Sequence, residues 1–185
     1  MTSQRPIYLK GELVSLGQLM KADLHKIWLM FSDFKVRHYG HLNWKIFFYE
    51  DEEQWYEEIR RNKDRRIAFA IMKNEDSHVI GIISISVDWV NHIGEIGYWI
   101  GVEYWGKGYV SEAVKLILEY AFKYLNLVKV YAHVVSGNKA SARVLEKNGF
   151  KLVGKYRKHL HIPNEGYKDV LVYDLLREEY ITNQS

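Results

Sequence analysis

The chain has 185 residues, 48% of them apolar, a formal charge of +3 and no cysteine. That length suits one domain with a full core. The missing thiols exclude disulfides, thiolate catalysis and Cys-ligated zinc, and so small a charge argues against a nucleic-acid-binding protein.

Two prolines and no Ser/Gly-rich linker leave residues 1–185 without a visible boundary, so one domain is expected. No apolar run is long enough to span a bilayer. The opening MTSQRPIYLKGE lacks the apolar block of a signal peptide. A cytoplasmic location is the expectation.

Residues 13–19 alternate weakly and predict a first strand. Leu24, Ile27, Trp28 and Phe31 then recur at helical spacing after Asp23. An aromatic stretch over 33–50 predicts a short helix and a loop. Residues 51–62 predict a helix, with acids in its first turn and arginines at its end. The β-branched and aromatic runs 66–72, 79–87 and 93–102, joined by turn-like separators, predict an antiparallel meander.

After Gly106-Lys107-Gly108 a helix is predicted, its apolar stripe formed by Val110, Ala113, Val114, Ile117, Ala121 and Leu125. A strand over 128–135 follows. Next comes a helix with Asn138 as N-cap and Gly149 as its left-handed terminator. Two strands, near 151–160 and 167–176, complete the chain. A strand–helix–strand unit around the glycine loop requires a parallel crossover inside an otherwise antiparallel sheet. The class is α/β (α+β) with a mixed sheet.

The loop raises a chemical possibility. The first turn of a helix carries backbone N–H groups without intrahelical partners, and its dipole favours an anion. Lys107, Gly108, Tyr109 and Val110 would offer donors to a pyrophosphate, and Gly106 and Gly108 would let it approach. A flexible turn with no ligand is the plainer reading. Neither GxxxxGK[ST] nor GxGxxG is present.

NKASARVLEKNGF lies about 30 residues further on. Together, EYWGKGYVSEA and this second stretch resemble the GNAT (GCN5-related N-acetyltransferase) family, nearest to its RimJ/RimL-like branch. The family's phosphate loop reads [QR]-x-x-G-x-[GA]. Here Glu103 occupies its first position, which removes a side-chain role there.

The resemblance implies a sheet with a splayed parallel strand pair, and acetyl-coenzyme A as co-substrate. It implies backbone groups of Ile100, Gly101 and Val102 beside the pantetheine arm, with Asn138 touching that arm. It also implies Glu95 as general base, directly or through water. A carboxylate on an otherwise apolar strand is costly unless solvated or paired. The tyrosine that many relatives use as acid is replaced by Glu146, and Ser141 matches the serine of RimL-like sequences.

By the same resemblance the acceptor pocket draws on the N-terminal helices, where Trp28, Tyr39, His41 and Trp44 are the candidates. The amine is a protein N-terminal α-amine, a small polyamine or amino sugar, or an internal lysine. A non-catalytic coenzyme A-binding regulator on the same fold is the competing class. His159 and His161 make an incomplete metal site, so no metal is expected. Relatives are monomers or homodimers. The basic run 60–66 reads as a solvated helix end.

Overall fold

The computed structural model describes residues 5–40 and 44–182. Strands β1 (Ile7–Lys10) and β2 (Val14–Gln18) are followed by helices α1 (Leu24–Ser32), α2 (Phe34–Arg37) and α3 (Tyr49–Arg61). Then come β3 (Arg66–Lys73), β4 (Val79–Asp88), β5 (Ile93–Ile100), α4 (Tyr109–Glu119), β6 (Lys129–Val135) and α5 (Lys139–Lys147). β7 (Lys151–Ile162), β8 (Gly166–Leu176) and α6 (Arg177–Thr182) close the chain. The eight strands form one sheet in the order β1-β2-β3-β4-β5-β6-β8-β7, antiparallel except for β5 and β6.

The meander and the crossover agree with the expectation. Three elements differ from it. The first strand is preceded by a shorter one, β1, of whose four residues only Leu9 is buried, too little for a readable alternation. The strand expected to reach Val102 ends at Ile100, and Val102–Tyr104 forms a 3-10 turn. The terminal helix α6 is a single short piece after β8 with no buried residue.

Strand alternation sorts the core onto two faces. Ile96 and Ile100 of β5 join Val130, Ala132 and Val134 of β6 beneath α4 and α5. The opposite face of β3 and β4, with Ala70, Met72 and Ile82, packs against Leu24, Ile27 and Met30 of α1 and Tyr56 of α3. α4 seats Ala113, Val114 and Ile117 in the core and continues into a π turn over Tyr120–Tyr124. Its first turn also holds the β1–β2 hairpin. The Glu112 carboxylate accepts N–H bonds from Glu12 (2.9 Å), Leu13 (2.7 Å) and Val14 (2.7 Å). Among the described residues no helix is long and apolar enough to cross a membrane.

Candidate active site

β4 holds β5 along its whole length, from Ile93 to Ile100. β6 holds it only from Ile93 to Glu95, opposite Lys129 to Tyr131. Beyond Glu95 and Tyr131 the two parallel strands part. A cleft of about 360 Å3 opens there, lined by Ile96 to Trp99 of β5, Ala132 to Val135 of β6, and Asn138 and Ser141 of α5. Phe31, Val36, Arg37, Tyr39 and Gly40 line it from the other side.

The strand edges facing this gap are identifiable. The Gly101 N–H bonds to the Ile80 carbonyl of β4, 3.0 Å away. Alternation then turns the amide groups of Tyr98 and Ile100 toward β6. On β6 the Ser136 N–H bonds to Asp169 of β8, so His133 and Val135 turn theirs toward β5. An extended, amide-containing ligand can pair with such an edge as another strand would.

The expectation for Ile100, Gly101 and Val102 needs correcting in detail. The Ile100 carbonyl accepts from the Trp105 indole at 3.1 Å. The Gly101 N–H is committed to β4, and the Gly101 and Val102 carbonyls accept from Tyr104 and Trp105 within the turn. The open edge is centred on Tyr98, two residues earlier.

The glycines divide by role. A Cβ on Gly97 would meet nothing within 4 Å, so this position is open to the cleft. A Cβ on Gly101 would press on Met30, Glu103 and Tyr104, so Gly101 seats the turn against α1. Gly106 (φ 74°) and Gly108 (φ 84°) are both left-handed, a region costly for any other residue. Gly108 is the N-cap of α4, and its carbonyl accepts the first helical N–H, from Glu112 at 3.1 Å. The N–H groups of Tyr109 and Val110 therefore belong to the helix's open first turn, with exposed Lys107 just before them.

On the α4/α5 face, Asn138 caps α5, its Oδ1 accepting from Ser141 N–H at 3.2 Å. What Asn138 can offer a ligand is its Nδ2 amino group. The Ser141 Oγ lies 2.9 Å from the Tyr98 hydroxyl. Burial pushes the Tyr98 phenol up to about 12, against a smaller opposing effect from the Ser141 hydrogen bond, so it keeps its proton at neutral pH. The predicted tyrosine position, Glu146, accepts instead from the Tyr173 hydroxyl at 3.1 Å.

On the opposite face Glu95 is partly exposed, and its Oε1 lies 2.7 Å from Nδ1 of His133. This partner satisfies the condition placed on a carboxylate in an apolar strand. Neither His133 nor Tyr98 was readable beforehand as part of the site. Their partners lie 38 and 43 residues away in sequence, across a crossover whose register no local pattern encodes.

The three expected acceptor residues that the structure describes scatter. Tyr39 lines the cleft, with its hydroxyl donating to the Gly137 carbonyl at 3.3 Å. Trp28 does not line it. Its indole donates to Phe47 O at 2.9 Å, and its ring packs edge-on against Tyr49 of α3. The same helical stripe presents Phe31 to the cleft instead, 5.0 Å from the Trp99 ring. Trp44 is 68% exposed on the surface. His41 lies outside the described residues.

Arg37, absent from the expectation, is buried in the cleft wall. Its guanidinium donates to the Lys45 and Ser32 carbonyls and lies 4.8 Å from the Phe34 and Phe47 ring centres. The acidic run 50–53 is largely committed to structure. Asp51 pairs with Lys45 and caps α3, Glu53 pairs with Lys21, and Glu52 is buried.

Comparison with known proteins bears on this arrangement. The profile of the Acetyltransferase (GNAT) domain matches residues 14–151, more than half of the chain. The chain is 39% identical over 106 residues to the putative ribosomal N-acetyltransferase YdaF of Bacillus subtilis (strain 168), covering 57% of each chain. It is 33% identical over 136 residues to the uncharacterized N-acetyltransferase YnaD of the same organism, covering 73% of this chain and 78% of that one. The spermidine N(1)-acetyltransferase of Vibrio cholerae is 29% identical over 135 residues, 72% of this chain and 76% of its own.

Among solved structures, a GNAT-family acetyltransferase from Bacillus anthracis superposes with a TM-score of 0.80 at 26% identity, covering 93% of this chain and 99% of that one. The Vibrio cholerae spermidine N-acetyltransferase, in complex with CoA and spermine, shares the fold with a TM-score of 0.83 at 22% identity, covering 92% and 99%.

Proposed function

Because the chain belongs to the acetyltransferase (GNAT) domain family, we propose that it transfers an acetyl group from acetyl-coenzyme A to a primary amine in the β5–β6 cleft. The observation that carries this reading is the fork itself: two parallel strands that pair to Glu95 and Tyr131 and then part, with Tyr98 and Ile100 turned into the gap. The pantetheine arm pairs with that edge and takes the Asn138 amino group. The pyrophosphate takes the N–H groups of Gly108, Tyr109 and Val110, with Lys107 adding charge. The departing thiolate takes a proton from the Tyr98–Ser141 hydroxyl pair. The amine loses one toward the negative pole at Glu95.

For the acceptor, the reading is a protein N-terminal α-amine, as in the RimJ/RimL-like branch. It is supported by the similarity to YdaF and by Arg37. A buried guanidinium in the cleft wall opposes the second and third ammonium groups of a polyamine, whereas a peptide N-terminus brings a single charge. The similarity to a spermidine acetyltransferase keeps a small polyamine as the second reading.

A screen with labelled acetyl-coenzyme A against N-terminal peptides, spermidine, an aminoglycoside and a lysine side-chain peptide tests both. Peptide N-termini are expected to be turned over best. Turnover of spermidine with peptides inert would replace the first reading with the second. Binding of acetyl-coenzyme A with no amine acetylated would favour the regulator. Absence of binding heat with folded protein would remove the whole proposal.

A further inference from the structure

The cleft is lined by His133, whereas Glu95 stands behind it, at the last point where β5 and β6 are still paired. The carboxylate faces one imidazole nitrogen, Nδ1, at 2.7 Å. An ionised Glu95 accepts from Nδ1–H, and that fixes the neutral ring in the tautomer whose Nε2 carries a lone pair. The ring stands on the sheet face away from α4 and α5, the side on which Phe31, Trp99 and Tyr39 bound the cleft. It lies edge-on to Tyr131 at 5.7 Å and tilted against Tyr156 at 5.6 Å, which limits the orientations open to it.

We infer that His133 is the general base of the acetyl transfer proposed above, and that Glu95 is a positioning residue acting through it. The inference rests on that reading of the cleft. The step is a proton transfer. The acceptor ammonium gives one proton to His133 Nε2, the freed amine lone pair forms the N–C bond to the acetyl carbon, the nitrogen passes its second proton to water, and the C–S bond breaks to leave a neutral amide. The thiolate is protonated separately on the Tyr98–Ser141 side, which regains its proton from water. The imidazolium formed beside Glu95 is stabilised by the carboxylate and returns its proton to water across the open face. The other titratable groups around His133 are Tyr131 of β6, Tyr156 of β7 with His159 tilted against it at 5.1 Å, Asp174 opposite Tyr131 on β8, and Arg37 across the cleft.

The test compares His133→Gln, Glu95→Gln and the double variant by three measurements. Calorimetry with acetyl-coenzyme A is expected to give unchanged heats in all three; loss of binding in the parent protein defeats the acetyltransferase reading and not the pairing. The pH profile of kcat/KM is expected to show a rising limb as the base loses its proton. His133→Gln removes that limb and lowers the rate about 10²–10⁴-fold. Glu95→Gln lowers the rate less, and the double variant matches His133→Gln. Imidazole 15N resonances provide a readout that needs no acceptor. They are expected to show Nδ1 protonated in the neutral ring, a tautomer preference that weakens in Glu95→Gln. Nε2 protonated in the neutral ring, or a limb lost in Glu95→Gln but kept in His133→Gln, overturns the assignment.

Discussion

Glu52 lies on α3 with 5% of its surface exposed. Burial first, and the neighbouring Asp51 second, push its carboxyl from the ordinary 4.5 up to about 7. The sign follows from proton linkage. Between these two values the folded chain binds a proton that the unfolded chain has released, so stability falls as pH rises. The contribution is complete below pH 4.5 and gone above pH 7. At about 1.4 kcal/mol per tenfold change in proton affinity it reaches about 3 kcal/mol, of which about 2.5 kcal/mol is lost between pH 5 and pH 8. Glu52→Gln removes the titration while keeping the shape. Urea unfolding of parent and variant at pH 5, 6, 7 and 8 gives the check. Whatever constant offset the amide brings, the variant should gain about 2.5 kcal/mol on the parent across that range. Parallel stability curves for the two proteins would refute the reasoning, because a carboxyl with an ordinary proton affinity leaves no such slope.

Other outcomes follow from single positions. Gly108→Ala forces an alanine to φ 84° and should cost about 1–2 kcal/mol in urea unfolding, while weakening acetyl-coenzyme A in calorimetry. Gly97→Val adds bulk where a Cβ meets nothing; stability should stay within about 0.5 kcal/mol while kcat/KM falls at least tenfold, and full activity would mean that the cleft is not used. Glu112→Gln replaces a carboxylate that accepts three N–H bonds. Water can reach those of Glu12 and Leu13, but Val14 is buried, so a loss of about 1.5–3 kcal/mol is expected from that one charge-assisted bond. Tyr98→Phe should lower kcat with little change in acetyl-coenzyme A affinity, and an unchanged kcat would leave Ser141 or water as the sole proton donor.

What could be read from the sequence was what short stretches encode by themselves. The stripe from Val110 to Leu125, the glycine-flanked start of its helix, the Asn138 cap and the left-handed Gly149 terminator each depend on a handful of consecutive residues. The meander and the parallel crossover followed from element types and crossover rules. Pairings set by the crossover were beyond reach. Nothing local aligns Glu95 with His133 or Tyr98 with Ser141, because the register of β5 against β6 depends on how α4 packs between them. Trp28 illustrates a related limit. Helical spacing identifies its stripe, but the rotation of α1 on the sheet decides that Phe31, and not Trp28, reaches the cleft. The extent of β5 was misjudged for a third reason: the β-favouring run IGEIGYWIGV continues past the point where Trp105 and the 3-10 turn take over its backbone groups.

The fork also divides the chemistry between two sides of one sheet. Consecutive residues of β5 point to opposite faces. Tyr98 meets Ser141 on the face covered by α4 and α5, and Trp99 meets Phe31 on the other. The glycine loop and Asn138 lie with Tyr98, whereas Glu95, His133 and Tyr39 lie with Trp99. Under the acetyl-transfer reading, the thioester and the amine therefore approach from opposite faces and meet only where the strands have parted. Proton removal and thiolate protonation then use separate groups that cannot short-circuit one another through a shared hydrogen bond. An intact β5–β6 ladder would close that passage, so the brevity of their pairing is itself a requirement of the mechanism.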